Sequence, residues 1–280
     1  MNVLITGAGG KTGQAIIAAL RGRDVGLRPF LRTPKPIAGA TDPFIGDLLN
    51  IAHLEQAMAG MQKVYHICPN VHEHEVEIGQ KVIEAARGAG IEQFVYHSVL
   101  HPQAEAMPHH GNKLRVEEML FESGLPFTIL QPTAYMQNIE AQWQMIVETS
   151  FYTIPYPTQT QISLVDLADV ATVAANVLTE KGHSGAIYEL VGTKPLSQNE
   201  LAKTMSHILG HAIVAQEIKI DVWRDRVQTA VSPYALETLT SMFRYYAQFG
   251  LVGNSTILTH LLEREPTSFN VCVRRWLENL

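Results

Sequence analysis

The sequence has little cysteine, no concentrated run of basic residues and no long hydrophobic segment. Its two cysteines, Cys68 and Cys272, lie far apart, which gives no disulfide framework and suits a reducing compartment. The 27 acidic residues outnumber the 21 basic ones, and a net charge of -6 argues against a nucleic-acid partner. No segment approaches the ~20 apolar residues of a membrane span, and no secretory signal precedes Val3. We therefore predict a cytoplasmic protein without a membrane partner.

Length and composition describe an ordinary globular protein. Hydrophobic residues make up 46% of the chain and charged residues 17%, a balance typical of folded rather than disordered sequences. A chain of 280 residues exceeds one average domain. We therefore expect one large domain and a smaller lobe.

The first half alternates short β-branched or aromatic runs with longer amphipathic segments. The runs predict strands at 2–6, 25–32, 43–46, 63–68, 93–98 and 126–131. The segments between them predict helices at 13–21, 50–59, 72–88 and 112–123. This alternation is typical of βαβ units. We predict an α/β fold, a Rossmann-type doubly wound parallel sheet, over residues 1–150.

The third predicted helix carries a single stripe of residues spaced three and four apart. The stripe consists of Val71, Glu75, Ile78, Val82 and Ala85. Because residues with this spacing share one face of a helix, we expect the stripe to pack against the sheet.

The second half is less regular and richer in predicted helices, at 233–249 and 266–280. Ser197 and Glu200 have the spacing of a capping box, which predicts a helix from there to about Leu209. We predict that residues 151–280 form a smaller, helix-rich C-terminal lobe, with segments that can exchange with the first domain.

A glycine-rich segment joins the first predicted strand to the first predicted helix. Gly7 permits a tight turn, Gly10 lets the backbone approach a diphosphate, and Gly13 allows close packing of the helix. The free N–H groups at the start of a helix bind anions. At the first strand-to-helix junction of an α/β chain, this spacing predicts a nicotinamide dinucleotide site.

The residue at the end of the second predicted strand indicates which dinucleotide binds. A carboxylate about 20 residues after the loop is typical of NAD sites, whereas this chain has Arg32 there. A guanidinium can bind the 2′-phosphate of NADP with two hydrogen bonds. We therefore predict that NADP(H) is preferred over NAD(H), with a solvated arginine as the alternative. Pro29 within the same strand predicts a local bulge or a missing ladder bond.

Several motifs together resemble the NmrA-like family of atypical short-chain dehydrogenases and reductases. They are Thr6-Gly7-x-x-Gly10-x-x-Gly13, Arg32, Gly46-Asp47, Ser98, Lys113 and the segment at 124–132. The family includes NADPH-dependent quinone reductases and triphenylmethane-dye reductases, and also NADP-binding regulators with little catalysis. The resemblance implies a C-terminal lobe that mainly binds the substrate.

The resemblance also implies a role for individual residues. Gly7, Gly10, Lys11, Thr12 and Gly13 would contact the phosphates, Arg32 the adenosine end, Asp47 and Leu48 the adenine, Ile67, Cys68 and Pro69 the nearby ribose, and Lys113 the nicotinamide ribose. Ser98, His109 and Lys113 are the candidate catalytic residues.

One position departs from the typical short-chain dehydrogenase pattern Tyr-x-x-x-Lys. Four residues before Lys113 the chain has His109 instead of tyrosine. Without that acid, reduction of a ketone to a basic alkoxide is disfavoured, whereas a reduced quinone leaves a phenolate whose conjugate acid has a pKa of about 10. Solvent or the His109 imidazole can protonate such a product. The alternative is that His109 is an exposed loop residue beside His110.

The histidine-rich segment from His72 to Glu75 does not predict a metal site. If it opens a helix, residues two apart do not face each other, and its acidic residues suit a positive helix terminus. We interpret Cys68 as a small buried strand residue rather than a redox thiol.

These observations predict an NADPH-dependent oxidoreductase that transfers hydride to a quinone-like or other conjugated small molecule. The alternative is a non-catalytic NADP(H) sensor that acts through a protein partner. A sugar-nucleotide epimerase is a third reading, weakened by the missing tyrosine. The sequence leaves the substrate and any homodimer open.

Overall fold

A computed structural model describes residues 1–40 and 42–278 of the chain. Within these residues the strands are β1 (Asn2–Ile5), β2 (Gly26–Leu31), β3 (Phe44–Ile45), β4 (Lys63–His66), β5 (Gln93–His97), β6 (Phe127–Pro132), β7 (Ala134–Tyr135), β8 (Phe151–Ile154), β9 (Gln161–Ile162), β10 (Leu164–Val165), β11 (Ala186–Leu190), β12 (Leu196–Ser197) and β13 (Val214–Glu217). The helices there are α1 (Lys11–Ala19), α2 (Ile51–Met58), α3 (Glu75–Gly88), α4 (Pro108–Glu122), α5 (Gln137–Glu140), α6 (Trp143–Thr149), α7 (Leu167–Thr179), α8 (Gln198–Leu209), α9 (Ile220–Val227), α10 (Pro233–Phe249), α11 (Thr256–Leu262) and α12 (Phe269–Glu278).

Seven of these strands form one sheet in the order β11-β6-β5-β4-β1-β2-β3. The pairings from β6 through to β3 are all parallel. The chain runs from β1 outward to β2 and β3, then crosses back and places β4 on the other side of β1. The carboxyl ends of β1 and β4 therefore border a topological switch point, where ligands bind in open α/β sheets. The predicted Rossmann-type doubly wound parallel sheet is confirmed.

The predicted stripe on α3 and the turn before it forms part of the core. Ile78, Val82 and Ala85 pack in one hydrophobic cluster with residues of β4, β5, α2 and α4. Val71 and Glu75 are buried as well, at 8% and 2% exposure. The prediction that this stripe faces inward is confirmed, and it carries one charged residue into the interior.

Three helices of the first half begin two or more residues away from the predicted position. The first begins at Lys11, two residues early, and the third begins at Glu75, three residues late. Residues 72 to 74 form a turn instead, in which the Glu75 N–H donates to the His72 carbonyl oxygen at 3.2 Å. The fourth begins at Pro108 instead of residue 112, because the fixed φ of proline suits the first position of a helix.

Strand ends differ from the predicted ones by one or two residues. Of the two alternatives predicted at Pro29, the bulge is wrong, and the missing ladder bond stays a prediction. Residues 2 to 5 of β1 pair with residues 26 to 29 of β2 in an unbroken register, which ends at Ile5 opposite Pro29. On its other side β2 pairs with β3 only at Phe30 and Leu31. Proline is tolerated here because, among the residues that the structure describes, β3 pairs with only the last two residues of β2 on that edge.

The described chain forms two compact units built from interleaved segments. The first contains residues 1–105, 109–131 and 170–188, and the second contains residues 106–108, 132–169 and the chain from Glu189 onward. The division thus places α7 from Val170 onward in the unit of the large sheet, and its first three residues in the second unit.

The second unit contains most of the helices of the C-terminal half. The predicted capping box is present, since Ser197 Oγ accepts from the Glu200 N–H at 3.2 Å and Glu200 Oε2 accepts from the Ser197 N–H at 2.8 Å. The helix that it starts, α8, ends at Leu209, and α10 has the predicted limits. The last predicted helix begins at Phe269 rather than 266, because Ser268 caps it: the Ser268 Oγ accepts from the Val271 N–H at 3.4 Å. Its last two predicted positions, 279 and 280, lie outside the described residues.

In residues 1–40 and 42–278, no helix combines the length and the apolar character needed to cross a membrane.

Candidate active site

The segment from Gly7 to Gly13, here called the glycine loop, joins β1 to α1 through backbone contacts that exclude side chains. Gly7 has a φ of +61°, and a Cβ there would lie 2.9 Å from Ile67 Cβ. A Cβ on Gly13 would lie 2.5 Å from the carbonyl oxygen of Gly7 and 2.6 Å from Ala8 Cα. Because backbone atoms cannot rotate away, glycine is required at both positions. The predicted roles of these glycines in the turn and in helix packing are consistent with this geometry.

The first turn of α1 is free of acidic residues and of side-chain caps. Its N-cap is Gly10, which supplies no capping side chain, and the helix has no acidic residue in its first turn. Lys11 is exposed and Thr12 is half-buried at the same end. An uncapped helix terminus with this polarity binds an anion such as a diphosphate. The residues present therefore fit a dinucleotide pyrophosphate.

Two cationic side chains follow β2. Arg32 is exposed directly after the buried Leu31, and Lys35 Nζ donates to the carbonyl oxygen of Gly9 at 3.1 Å. Lys35 was not among the predicted site residues. Its position between Pro34 and Pro36 gives the sequence signal of an ordered loop, but only the fold brings that loop to the glycine loop.

The segment after β3 presents Asp47 and Leu48. The exposed Asp47 accepts from the Leu49 N–H at 2.9 Å, which forms a tight turn. Leu48 is half-buried against the core cluster. Gly46, just before them, packs so closely that a Cβ would lie 2.9 Å from Phe30 Cζ. That Asp47 and Leu48 border the adenine remains a prediction.

The segment after β4 lies against the glycine loop. Ile67 contacts Gly7 and is half-buried, Cys68 is buried at 4% exposure, and Pro69 is exposed. Burial raises the pKa of the Cys68 thiol, and the Glu75 carboxylate adds to this effect. The thiol is thus protonated at neutral pH, as expected for a packing residue and not for a redox thiol.

Lys113 of α4 is held by a buried carboxylate. Its Nζ donates to Glu75 Oε1 at 2.6 Å and to the carbonyl oxygen of His97 at 3.2 Å. The Tyr96 hydroxyl donates to the same Glu75 oxygen at 3.3 Å. Glu75 was predicted as part of the inward-facing stripe and as an acidic group near a helix terminus. The second interpretation is incomplete, because Glu75 is 2% exposed and pairs with Lys113. Its place in the inward-facing stripe was the signal that marks it.

Ser98 belongs to a second buried group, centred on Glu117. The Ser98 hydroxyl donates to Glu117, and Gln131 Nε2 donates to both oxygens of the same carboxylate at 2.9 and 3.1 Å. Burial raises the pKa of Glu117, whereas the hydrogen bonds from Ser98 and Gln131 oppose that rise. Because its proton is directed to Glu117, Ser98 is oriented to accept a hydrogen bond from any ligand.

His109 lies in the first turn of α4 and is buried, so the alternative of an exposed loop histidine is wrong. The ring of His110 meets it edge to face, with centroids 4.5 Å apart. Nδ1 of His109 has no hydrogen-bond partner among residues 1–40 and 42–278. Burial lowers the pKa of His109 to about 3 and that of His110 to about 4. Both rings are therefore neutral at neutral pH.

Comparison with known proteins shows the family of this chain. The model of the NmrA-like family matches residues 1–270. The chain belongs to the NmrA-like family.

Relatives of this NmrA-like chain include two named reductases. It is 27% identical over 216 residues to an NAD(P)H azoreductase from Xenophilus azovorans, covering 75% of each protein. It is 27% identical over 228 residues to quinone oxidoreductase 2 from Escherichia coli K12, covering 77% of each. Its fold matches an NADPH-dependent quinone oxidoreductase from Escherichia coli solved with NADPH, with a TM-score of 0.87 at 24% identity over 98% of this chain and 99% of the other. The chain is thus related to NAD(P)H-dependent reductases.

The first unit of this NmrA-like chain contains every predicted site residue. One group consists of Gly7, Gly10, Lys11, Thr12, Gly13, Arg32, Asp47 and Leu48, and the other consists of Ile67, Cys68, Pro69, Ser98, His109 and Lys113. Sequence reasoning missed Lys35, Glu117 and the pairing of Glu75 with Lys113. The described residues contain no group of three or more His, Cys, Asp or Glu side chains that could hold a metal ion.

Proposed function

We propose that this chain is an NADPH-dependent oxidoreductase that reduces a quinone-like or other conjugated small molecule. The observation that carries the proposal is the uncapped start of α1 with the exposed Arg32 and with Lys35 beside Gly9. A helix terminus and two nearby cations suit a ligand with three phosphate groups, one of them remote from the diphosphate.

The same observation supports NADP(H) over NAD(H). Arg32 takes the place at the end of β2 where a carboxylate would bind the 2′-hydroxyl of NAD. Its guanidinium can donate two parallel hydrogen bonds to a phosphate. The amine of Lys35, 3.1 Å from the Gly9 carbonyl oxygen, adds a second positive charge close to the glycine loop.

The proposed substrate class follows from the lack of a strong proton donor among the candidate catalytic residues. When bound, the nicotinamide supplies the hydride. The buried histidines are neutral at neutral pH, Ser98 directs its proton to Glu117, and Lys113 donates to Glu75. No residue of this set is a strong proton donor toward a substrate. An acceptor whose reduced form is a weak base, such as a quinone, needs only solvent as its proton source, because a phenol has a pKa of about 10.

The relatives support the same class. An azo compound and a quinone, the acceptors named by the two reductases, are both conjugated molecules. Of the two, the quinone leaves a weakly basic phenolate when it accepts hydride. We assign substrate recognition mainly to residues 151–280, the half of the chain that contributes little to the dinucleotide residues.

Stopped-flow absorbance tests the proposal. Protein loaded with one equivalent of NADPH is mixed with quinones, azo dyes, triphenylmethane dyes, enones and simple ketones, and the absorbance of the reduced nicotinamide is followed. We expect rapid oxidation by a conjugated acceptor and none by simple ketones. Tight NADPH binding without oxidation by any acceptor would favour the non-catalytic sensor, and equal oxidation by ketones would contradict the substrate class.

A further inference from the structure

We propose that Glu75 is a positioning residue that fixes Lys113 so that a single N–H of its ammonium group faces the nicotinamide ribose. The proposal rests on the function proposed above, because it assigns Lys113 to the bound dinucleotide. It assigns to Glu75 no direct contact with the ligand. Glu75 acts through Lys113.

The two side chains are placed by separate helices that meet at the sheet. Glu75 is the first residue of α3, and Lys113 lies in the second turn of α4. The pairing joins Glu75 Oε1 to Lys113 Nζ at 2.6 Å across 38 positions of sequence. The side chains are 2% and 15% exposed. A hydrogen-bonded ion pair of this kind, shielded from solvent, holds its geometry better than a surface pair.

The inference depends on how many N–H groups of the Lys113 ammonium are already hydrogen-bonded. A lysine ammonium has three N–H donors. One is bound to Glu75 Oε1 and a second to the carbonyl oxygen of His97 at 3.2 Å. Within residues 1–40 and 42–278 these are the two acceptors bonded to Nζ. One donor is left for a ligand, and its direction is set by the other two.

The surroundings of Glu75 hold its carboxylate in place. The Tyr96 hydroxyl donates to the same oxygen at 3.3 Å, and Lys113 Nζ lies 5.5 Å from the centroid of the Tyr96 ring. Tyr96 in turn stacks on His66 with ring centroids 5.8 Å apart. The carboxylate is therefore fixed on one side by a packed aromatic residue and on the other by Lys113. Replacing it with an amide removes the charge but preserves the shape.

A double-mutant cycle tests the coupling. The variants are Glu75→Gln, Lys113→Met and the double variant, and the measurement is NADPH affinity by calorimetry. We expect each single variant to lose about tenfold in affinity, the scale of one charge-assisted hydrogen bond. The double variant should bind like Lys113→Met alone. Glu77→Gln, an exposed acidic residue of the same helix, is the matched control and should bind as the unmodified chain does.

Glu75→Asp and a chemical probe keep the proposal falsifiable if Glu75→Gln folds poorly. The aspartate keeps the negative charge, at a greater distance from Lys113 Nζ, and should recover part of the affinity for NADPH that Glu75→Gln loses. In dinucleotide-free protein, acylation of Lys113 by a succinimidyl ester, followed by peptide mass spectrometry, should be several-fold faster in Glu75→Gln than in the unmodified chain, because the amine is no longer bound.

Two outcomes overturn the proposal. The first is that Glu75→Gln weakens NADPH binding equally in the unmodified chain and in the Lys113→Met variant. The second is that Lys113 is acylated at the same rate in Glu75→Gln as in the unmodified chain. If the unmodified chain binds neither NADPH nor NADH, the proposed function is wrong instead. The acylation experiment then still decides whether Glu75 restrains Lys113.

Discussion

The glycine-loop end and the lysine end of the first unit differ in how their polar groups are satisfied. The glycine-loop end comprises the glycine loop, Arg32 and Lys35, and its helix terminus and Arg32 are open to solvent. The lysine end comprises Glu75, Tyr96, His97, Ser98, His109, Lys113 and Glu117, and most of these side chains are buried and bonded to one another.

This difference indicates that the two ends contribute to ligand binding in different ways. Groups without protein partners gain the most from a ligand, so the glycine-loop end is suited to supply binding energy. Groups that are already paired gain less, but their directions are fixed before a ligand arrives, which is the condition for orienting a reacting ring. The predictions below test this contrast from the largest expected effect to the smallest.

Acid should destabilise the fold through four buried histidines, two of which, His97 and His109, belong to the lysine end. Burial lowers the pKa of His66, His97 and His109 to about 3 and that of His110 to about 4, against 6.5 for an unperturbed histidine. The unfolded chain therefore takes up protons below pH 6.5 while the folded chain does not. Each histidine should lower the free energy of unfolding by about 1.4 kcal/mol per pH unit below 6.5, and the four together should lower it by at most about 6 kcal/mol per pH unit. The contribution of these histidines to the free energy of unfolding is fully present above pH 6.5 and is lost as the pH falls below it.

Urea unfolding at pH 7, 6 and 5 measures this effect. The variant His109→Gln should remove about one quarter of the slope, since one of four equivalent groups no longer titrates. A free energy of unfolding that stays constant from pH 7 to pH 5 would show that these rings take up protons in the folded chain as readily as in the unfolded one.

Features fixed by local sequence were predictable, whereas the burial of His109 and the partner of Lys113 were not. The glycine loop, the capping box at Ser197 and the limits of α10 were predictable because each depends on residues within one or two turns of chain. The burial of His109 was not, because it follows from a helix that begins at Pro108 and from packing that spacing does not encode. The partner of Lys113 lies 38 positions away. Only Glu75's place in an otherwise apolar stripe pointed to it.

At the glycine-loop end, Gly13→Ala should nearly abolish dinucleotide binding. The new Cβ would lie 2.5 Å from the Gly7 carbonyl oxygen, so α1 must move away from the loop. Overpacking of this kind costs about 1–3 kcal/mol, and the displaced helix terminus no longer faces the diphosphate. Calorimetry with NADPH measures the loss. Gly88→Ala in α3, where a Cβ meets no atom within 4 Å, is the matched control and should bind normally.

Arg32→Ala should separate the two dinucleotides. Loss of a guanidinium that binds the 2′-phosphate should weaken NADPH binding about tenfold or more and leave NADH binding nearly unchanged. Lys35→Ala should have the same selectivity with a smaller effect, because its amine already donates to Gly9. Affinities for both dinucleotides, measured at one salt concentration, provide the check. Equal losses for NADPH and NADH would remove the argument for a phosphate site.

The smallest effect should come from Ser98→Ala, and its size decides between two roles for this hydroxyl. If Ser98 donated to the substrate in the transition state, its removal would slow hydride transfer about 100-fold or more. In this structure the hydroxyl donates to Glu117, whose two oxygens still accept from Gln131 after the change. The carboxylate is then not left without a donor, and the lost hydrogen bond lies within the protein and not to the substrate. We therefore expect single-turnover oxidation of bound NADPH to slow only about threefold. Ser123→Ala is the matched control, because that buried hydroxyl donates to the Leu120 carbonyl at the end of α4 and should leave the rate unchanged. A large loss in Ser98→Ala alone would mean that Ser98 turns from Glu117 to the substrate during the reaction, and the lysine end would then be rearranged by its ligand and not fixed in advance.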